Sequence, residues 1–494
     1  MGNDYIDAAR LFHEVTKHSY TSVRSSPHRL DWDIKPSPYK IYPEANGMAL
    51  PRDLRLSGMP TLEAIAKEVP NNSPTPVGIA ELTRILFCAD GLTRRARVDE
   101  TEYHFRAAPS AGALYPIEIY VAAADVEGVE PGLYHFSPAD LKLRRLRRGD
   151  WRPVIARAAL NRSSLASARA IVILTSIFWR STWKYRARGY RYCFWDGGTI
   201  LANLLAAASA DEIPAKVITA FSDPDLEALL GIDGDSEGMV ALVALGASPG
   251  AANTSPEMTP LAFESIPLSP SQVDYDELRK IQRESRLVSA AEVTAVATSR
   301  AIDVEQPAPV LSSRGLGETI LQRGSTRVFA HDSIPVADLQ AVMAASSASL
   351  RADFQRYIDT YLIVNAVAGM APGAYRYDSD DATFELIKAG IFRGEAGYLC
   401  LEQPLGMDCS VLVVYLADLH AALKTSGNRA YRNLHLEAGI AGGRAYLAAY
   451  SLGHGATGLT LYDDDTTQFF GFEKNQELPI FMTAIGVPQK SRKD

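Results

Sequence analysis

The chain repeats itself at a constant offset of 241 residues. One residue drops out near the end, where the offset becomes 240. An offset that holds over more than a hundred residues indicates two copies of one domain, which amounts to a dimer written into one polypeptide. The matching segments are Pro131–Tyr134 with Pro372–Tyr375, Ile171–Leu174 with Leu412–Tyr415, Tyr190-Arg191 with Tyr431-Arg432, Gly198 with Gly439, Ala207-Ala208 with Ala448-Ala449, Glu237 with Glu477, and Gly246 with Gly486.

Composition limits the class of protein and the kinds of partner. Apolar residues are 47% of the 494 and charged residues 22%, which is typical of a soluble globular chain. The net charge of −8 gives no overall attraction for nucleic acid. The densest basic run, Lys142–Arg148, is typical of an exposed strand, with a polyanion or peptide patch as the alternative.

Several sequence signals point to the cytoplasm. The four cysteines form no CxxC pair and no disulfide-dense pattern, which favours a reducing compartment. The first residues lack the features of a signal peptide, and no apolar run of about 18 residues predicts a membrane span. No GxGxxG motif, Walker A motif or metal-ligand spacing is present, so we expect no Rossmann unit, ATP site or metal.

The order of predicted elements is similar in the two copies. We divide the chain into an extension laid over the surface (1–60), a first domain (61–250), a linker (251–312) and a second domain (313–494). Strands mixed with helices and a Pro-Gly hairpin predict an α+β fold, with a mostly antiparallel sheet flanked by helices. The apolar helices predicted over 194–210 and 436–452 should be buried against each other.

The segment Arg323-Gly324-Ser325-Thr326-Arg327 opens the second copy. Alternate residues of an extended segment point the same way, so Arg323, Ser325 and Arg327 can converge on one anion. Two guanidinium groups and a hydroxyl suit a phosphate dianion. The alternative is a surface segment with two solvated arginines.

A proline-bounded loop in the first copy is the second candidate. Pro109 and Pro116 fix the ends of this loop, and Gly112 keeps side-chain atoms away from the backbone. A flat ligand could then lie against main-chain N–H groups. The alternative is a tight loop that only leads into a strand.

Each copy keeps only one of these two features. Residues 349–357 of the second copy, which match the loop, contain no glycine or proline. Residues 62–72 of the first copy, which stand where the arginine segment would be, contain no arginine. We therefore expect one composite site across the internal interface and an inactive second site.

These motifs resemble the FMN-dependent nitroreductase superfamily, and within it the SagB-type dehydrogenases, most strongly over 104–246 and 314–486. The resemblance implies two tandem nitroreductase-like domains that form an intrachain pseudo-dimer and bind one FMN per chain. By the same resemblance, Arg323, Ser325 and Arg327 would hold the phosphate. The other implied FMN contacts are Thr457, Gly458 and Leu459 along the ring, Pro109, Ser110, Ala111, Gly112 and Leu114 from the opposite copy, and Lys490 and Arg492 at the C-terminus.

The resemblance also gives meaning to Lys184-Tyr185, which alone would look like a surface pair. In SagB-type azoline oxidases a Lys-Tyr pair at this place is catalytic, and the second copy has Thr425-Ser426 instead. Oxidation of an azoline to an azole removes a Cα proton and a Cβ hydride. We assign Tyr185 as the base, with its pKa lowered by the ammonium group, and Lys184 as its partner or a second proton carrier.

The sequence thus predicts an FMN-dependent dehydrogenase or oxidase that acts on a peptide or small natural-product intermediate, with biosynthetic partner proteins possible. Two alternatives remain: an NAD(P)H-dependent nitroreductase or quinone reductase, and a non-catalytic flavin-binding scaffold. Residues 90–106, absent from the second copy, could form a lid or a substrate surface. The cluster of Phe178, Trp179, Trp183 and Tyr185 fits either a substrate pocket or core packing.

Overall fold

A computed structural model describes residues 2–71, 73, 75–98, 101–250, 254, 256–297 and 313–489. The strands of the first half are β1 (Gly47–Ala49), β2 (Leu92–Val98), β3 (Thr101–Arg106), β4 (Ile117–Ala123), β5 (Gly132–Ser137), β6 (Lys142–Arg148), β7 (Ala170–Ile177), β8 (Ala215–Ile218) and β9 (Glu237–Leu245). Seven of them form one antiparallel sheet in the order β1-β6-β5-β4-β7-β9-β8, while β2 and β3 form a separate hairpin.

The second half repeats this plan. Its strands are β10 (Ile334–Pro335), β11 (Ile358–Val364), β12 (Val367–Ala368), β13 (Gly373–Asp378), β14 (Thr383–Ala389), β15 (Val411–Ala417), β16 (Gly455–Leu459) and β17 (Leu478–Gly486). Six of them form an antiparallel sheet in the order β14-β13-β11-β15-β17-β16, and β10 pairs with β12. The predicted α+β class is confirmed.

Helices pack around these sheets. Those of the extension and the first half are α1 (Asp7–Val15), α2 (Tyr20–Arg24), α3 (Thr61–Ala66), α4 (Ile79–Asp90), α5 (Arg152–Ala158), α6 (Ser163–Ala166), α7 (Phe178–Tyr185), α8 (Gly189–Ala210) and α9 (Asp223–Leu230). The linker and second half contain α10 (Asp276–Glu284), α11 (Ala290–Val296), α12 (Leu316–Gln322), α13 (Val336–Ser346), α14 (Arg393–Leu399), α15 (Pro404–Asp408), α16 (Leu419–Ser426), α17 (Arg429–Ser451) and α18 (Asp463–Phe469). No helix among the described residues is long and apolar enough to cross a membrane.

The two long helices, α8 and α17, pack against each other at the centre of the molecule. Gly198 and Gly439, which match in the repeat, meet at this contact. A Cβ atom added to Gly198 would lie 2.6 Å from the Cα atom of Gly439. Because glycine has no Cβ, the two backbones can approach this closely. Matched residues that touch each other mark a two-fold axis, so the predicted pseudo-dimer is confirmed.

Buried ion pairs cross the interface in matched positions. Arg191 of the first half pairs with Asp463 of the second at 2.8 Å, and Arg432 of the second half pairs with Asp223 of the first at 3.2 Å. All four side chains are buried, so losing one partner would leave an uncompensated charge in the core. Asp463 is the first residue of α18, so the start of this helix belongs to the interface.

Much of the extension lies on the surface, but its first helix, α1, reaches the core, which the sequence did not predict. Phe12 of α1 is buried and contacts Tyr190 and Tyr431 edge-to-face, at 5.4 and 5.8 Å between ring centroids. Further along, β1 adds an edge strand to the first sheet by pairing with β6. The basic strand β6 is also less exposed than predicted, since Arg147 is buried and donates to the carbonyls of Leu229 and Thr259.

Candidate functional site

A cavity of about 720 Å³ lies between the two halves. Residues predicted from the two copies meet there, as the composite-site hypothesis requires. The first half contributes Tyr103, Phe105, Pro109–Leu114, Trp183, Lys184, Tyr185, Tyr192, Trp195, Asp196 and Thr199. The second half contributes Ser325, Arg327, Gln403, Leu405, Tyr446, Thr457–Thr460 and Phe481, and the extension contributes Leu30, Trp32 and Lys35.

Ser325 and Arg327 lie in the segment that follows α12. The Arg327 side chain is exposed toward the cavity and forms no ion pair with any residue that the structure describes. The Ser325 hydroxyl lies 3.5 Å from that of Tyr446, and the Tyr446 hydroxyl in turn accepts a hydrogen bond from the Gly458 backbone N–H. The result is an uncompensated guanidinium beside a hydroxyl, the donor set that a phosphate requires.

Arg323 does not join this pair, and the expectation of three convergent side chains needs correction. Its guanidinium is buried and donates from Nε to the carbonyl of Ala107 at 2.8 Å and from Nη2 to that of Arg106 at 2.9 Å. Arg323 therefore ties the second half to the start of the proline-bounded loop instead of lining the cavity. Lys490 and Arg492 lie outside the described residues.

The proline-bounded loop is held by a carboxylate that the sequence analysis missed. Asp196 of α8 accepts a hydrogen bond from the Ser110 hydroxyl at 2.5 Å and from the Ala111 N–H at 3.1 Å. Burial raises the pKa of Asp196 to about 7, although these two hydrogen bonds oppose the shift. A lone carboxylate in an otherwise apolar helix was the signal that could have revealed it.

Lys184 and Tyr185 end α7 and face Gly112 of the same loop. Gly112 has a left-handed φ of 64°, and a Cβ atom there would lie 2.7 Å from the Tyr185 hydroxyl and 3.2 Å from Lys184 Nζ. The Lys184 ammonium lies 5.3 Å from the centroid of the Tyr185 ring. Glycine thus leaves room for both polar groups at the cavity wall.

The electrostatics of this pair differ from the sequence expectation. Burial raises the pKa of the Tyr185 phenol well above its usual range, and the positive charge of Arg327 offsets this only in part. Burial, together with the charges of Arg327 and Lys35, lowers the pKa of Lys184. The expected lowering of the tyrosine pKa is therefore wrong; the lysine is the group whose pKa moves toward neutrality.

The residues expected to lie along the flavin ring belong to β16, an edge strand of the second sheet. Thr457, Gly458 and Leu459 line the cavity from this strand. A Cβ atom on Gly458 would lie 2.8 Å from the Phe481 ring, so glycine lets the ring pack directly beneath the strand. Across the cavity, Tyr103 and Phe105 of the β2–β3 hairpin form part of the wall. The region considered as a lid or substrate surface therefore does border the site.

The internal two-fold symmetry would generate a second site in which the two halves exchange roles, and this second site is closed. Asp353 matches Gly112 in the repeat; its buried carboxylate accepts hydrogen bonds from the N–H groups of Thr219 (2.7 Å) and Ala220 (3.0 Å) and pairs with Arg162 at 3.0 Å. The buried Arg444 donates to the carbonyls of residues 348 and 349. Two cavities that Arg444 lines have volumes of about 60 and 200 Å³, both below the roughly 300 Å³ of a typical small-ligand pocket.

Comparison with known proteins places this architecture in a family. The nitroreductase family model matches two regions, residues 73–247 and 320–487. A crystal structure of a protein from Anabaena variabilis assigned to the nitroreductases is 28% identical and superposes with a TM-score of 0.79, covering 98% of this chain and 99% of that one. The tandem arrangement is therefore shared with a solved structure along almost the whole chain.

Shorter relatives match one part of the chain. A protein of Methanocaldococcus jannaschii assigned to the nitroreductases is 34% identical over 32% of this chain and 76% of its own length. The trifolitoxin-processing protein TfxB of Rhizobium leguminosarum is 30% identical over 32% of this chain, and the microcin B17-processing protein McbC of Escherichia coli is 25% identical over 25%. The chain spans 44% and 48% of these two relatives, less than half of each. With both halves matched by the family model, the chain belongs to the nitroreductase family, in a tandem form that resembles its SagB-type members.

Proposed function

We propose that the chain is an FMN-dependent oxidoreductase that dehydrogenates an azoline-like ring of a peptide or natural product by two electrons. The observation that carries the proposal is the cavity where Ser325 and Arg327 of one half face Lys184 and Tyr185 of the other. The names of TfxB and McbC, which process peptide products, support the substrate class.

The residues present fit an FMN. A volume of about 720 Å³ lies within the range of cofactor sites, roughly 300–1,000 Å³. Arg327 has no ion-pair partner among the described residues, and with Ser325 it would hold the phosphate. Thr457, Gly458 and Leu459 would lie along one side of the ring, and the Pro109–Leu114 loop would close the other.

When bound, FMN accepts two electrons as a hydride. The chain supplies the acid–base groups. Burial lowers the pKa of Lys184, so its ammonium group loses a proton more readily than that of an ordinary lysine, and the neutral amine can accept the Cα proton at Nζ. Tyr185 stays protonated because of its raised pKa, and its hydroxyl can donate a hydrogen bond to the substrate. This assignment exchanges the roles that the sequence suggested for the pair.

The half-buried position of the pair beside Gly112 favours this chemistry for a second reason. A loop that closes over the reacting atoms keeps water away, and fixed dipoles act more strongly where water is excluded. Asp196 holds the loop closed through Ser110 and Ala111. The loop is thus a positioning element, whereas Lys184 and Tyr185 contact the substrate.

The decisive experiment is anaerobic reduction of the flavin-loaded protein. We expect about one FMN per chain, and we expect a 2-aryl-thiazoline to bleach the flavin absorbance with formation of the thiazole. Bleaching by NADH or NADPH, without any response to the thiazoline, would instead indicate a nitroreductase or quinone reductase. Tight FMN binding with no response to either reductant would indicate a non-catalytic flavin-binding protein.

A further inference from the structure

A short segment of the extension, residues 31–36, crosses the mouth of the cavity; we call it the strap. Its ends are fixed by donors from the first domain. The indole of Trp183 donates to the carbonyl of Asp31 at 2.7 Å, and beyond the other end Arg180 donates to that of Ser37 at 2.9 Å. The guanidinium of Arg106 adds a hydrogen bond to the carbonyl of Pro38 at 2.5 Å. Because both ends are anchored, the backbone of the strap is held beside the cavity.

Trp32 of the strap leaves a large apolar surface open at this mouth. Its side chain is 65% exposed, although it contacts Trp183 edge-to-face at 5.2 Å between ring centroids. Both tryptophans line the cavity. Exposed aromatic surface beside a deep cavity is typical of a binding surface, because its burial by a ligand is favourable.

Lys35 adds a positive charge to the same place. Its Nζ atom lies 5.3 Å from the centroid of Trp32 and 5.9 Å from that of Trp183. The structure shows no ion pair for Lys35 among the residues it describes. Asp196 is the one carboxylate among the described lining residues, and its oxygens already accept hydrogen bonds from Ser110 and Ala111.

Three cationic side chains line the cavity among the described residues: Arg327, Lys184 and Lys35. None of them forms an ion pair with a described residue, so each is open to a group of a bound ligand. Arg327 is assigned above to the cofactor phosphate and Lys184 to proton transfer. Lys35, at the outer end beside two indole rings, remains for the substrate.

We propose that Trp32, Trp183 and Lys35 form a substrate subsite for a flat ring that carries a carboxylate. The two indoles contact the ring, and the ammonium group binds the carboxylate through a charge-assisted hydrogen bond. This inference rests on the proposed function, which it narrows from azolines in general to azolines with a free carboxylate on or next to the ring. An internal azoline of a peptide, which has an amide at that position, binds more weakly.

Binding, measured without turnover, tests the subsite. The probes are 2-phenylthiazole-4-carboxylate, which is already oxidised, and its carboxamide, which has the same shape without the charge. By isothermal titration to the FMN-loaded protein, we expect the acid to bind at least about tenfold more tightly than the amide, the usual effect of one charged hydrogen bond. Equal affinity for the two probes, or binding of neither, would overturn the proposal.

Variants separate the charge from the rings. Lys35→Gln should abolish the preference for the acid, Lys35→Arg should retain it, and Trp32→Leu should weaken both probes alike. Lys280→Gln is the matched control, because Lys280 is an exposed lysine 5.8 Å from the Tyr5 ring and does not line the cavity. A preference that survives Lys35→Gln would refute the role of Lys35. If the preference holds but no thiazoline is oxidised, the proposed reaction fails and the subsite stands.

Discussion

Two arginines of one pentapeptide should respond in opposite ways to the same substitution. Arg327 faces the cavity and has no ion-pair partner among the described residues, so Arg327→Met removes a phosphate contact and little else. A hydrogen bond to a charged group contributes about 1.5–3 kcal/mol, which corresponds to a loss of roughly 10- to 150-fold in FMN affinity. The free energy of unfolding of the apoprotein should change by less than about 0.5 kcal/mol, as for other exposed sites.

Arg323→Met should do the reverse. Its buried side chain donates to the carbonyls of Arg106 and Ala107, and the Ala107 carbonyl also accepts a hydrogen bond from Asn203 at 3.1 Å. The substitution therefore takes the arginine from the Arg106 carbonyl without a replacement among the described residues, and because an unsatisfied buried group costs about 1–3 kcal/mol, we expect the apoprotein to lose about that much stability. The FMN affinity of the fraction that remains folded should change far less than in Arg327→Met.

Quenching of flavin fluorescence gives the dissociation constant, and urea denaturation of the apoprotein gives the stability of each variant. Wild-type FMN affinity in Arg327→Met would refute the phosphate assignment. Loss of FMN affinity in Arg323→Met at unchanged stability would return Arg323 to the phosphate and refute the structural role argued here. The two variants share the same chemical change, so each is the control for the other.

Three further predictions concern the loop, the reacting pair and the closed site. Gly112→Ala should lower turnover severely, because the added Cβ would lie 2.7 Å from the Tyr185 hydroxyl and because a φ of 64° is unfavourable for alanine. Catalytic assays together with a thermal melt would distinguish a local effect from unfolding. Because the pKa of Lys184 is lowered, the rate should rise with pH and level off below the usual lysine range near 10. In Lys184→Ala this rise of the rate with pH should disappear. If it disappears in Tyr185→Phe instead, the tyrosine is the base. At the closed site, Glu437 of α17 matches Asp196 in the repeat and lines the same cavity as Arg444. Burial raises the pKa of Glu437 to about 8 from its ordinary 4.5, so its contribution to stability is present below pH 4.5 and is lost as the pH rises to 8. Glu437→Gln should remove that loss, about 1.4 kcal/mol per pH unit, and denaturation curves that keep the same pH dependence would contradict the assignment.

Most of the fold could be predicted because the repeat shows the same order of elements twice in the sequence. The apolar helices predicted over 194–210 and 436–452 correspond to α8 and α17, which pack against each other as expected and begin several residues earlier than predicted. The short strands β8 and β16 were missed because four or five residues give too little periodicity. The β2–β3 hairpin was missed because the run Arg94-Arg95-Ala96-Arg97 lacks the alternation of a half-buried strand.

The residues of the site that were predicted wrongly or missed have one thing in common. Their positions depend on the local chain direction or on contacts between residues distant in sequence. Arg323 was expected to point the same way as Ser325, but it directly follows the last residue of α12, and its side chain points toward the carbonyls of Arg106 and Ala107. The strap could not be placed from the sequence, because residues 31–36 form neither helix nor strand and show no periodicity from which a position follows. Asp196 could have been flagged as an acid in an apolar helix, but its partners Ser110 and Ala111 are set only by tertiary packing.

Covalent fusion explains why one interface supports two such different sites. In a homodimer a substitution falls on both sites at once, so replacing Gly112 by aspartate would remove both. In this chain Gly112 is kept in one half, while its counterpart Asp353 closes the other site by accepting hydrogen bonds from Thr219 and Ala220. The matched interface pairs, by contrast, are retained on both sides, because Arg191–Asp463 and Arg432–Asp223 support the same packing. Packing therefore constrains both halves equally, whereas the chemistry constrains only the residues of one composite site. Because the two sites can differ, the extension can place the strap at the mouth of one cavity alone.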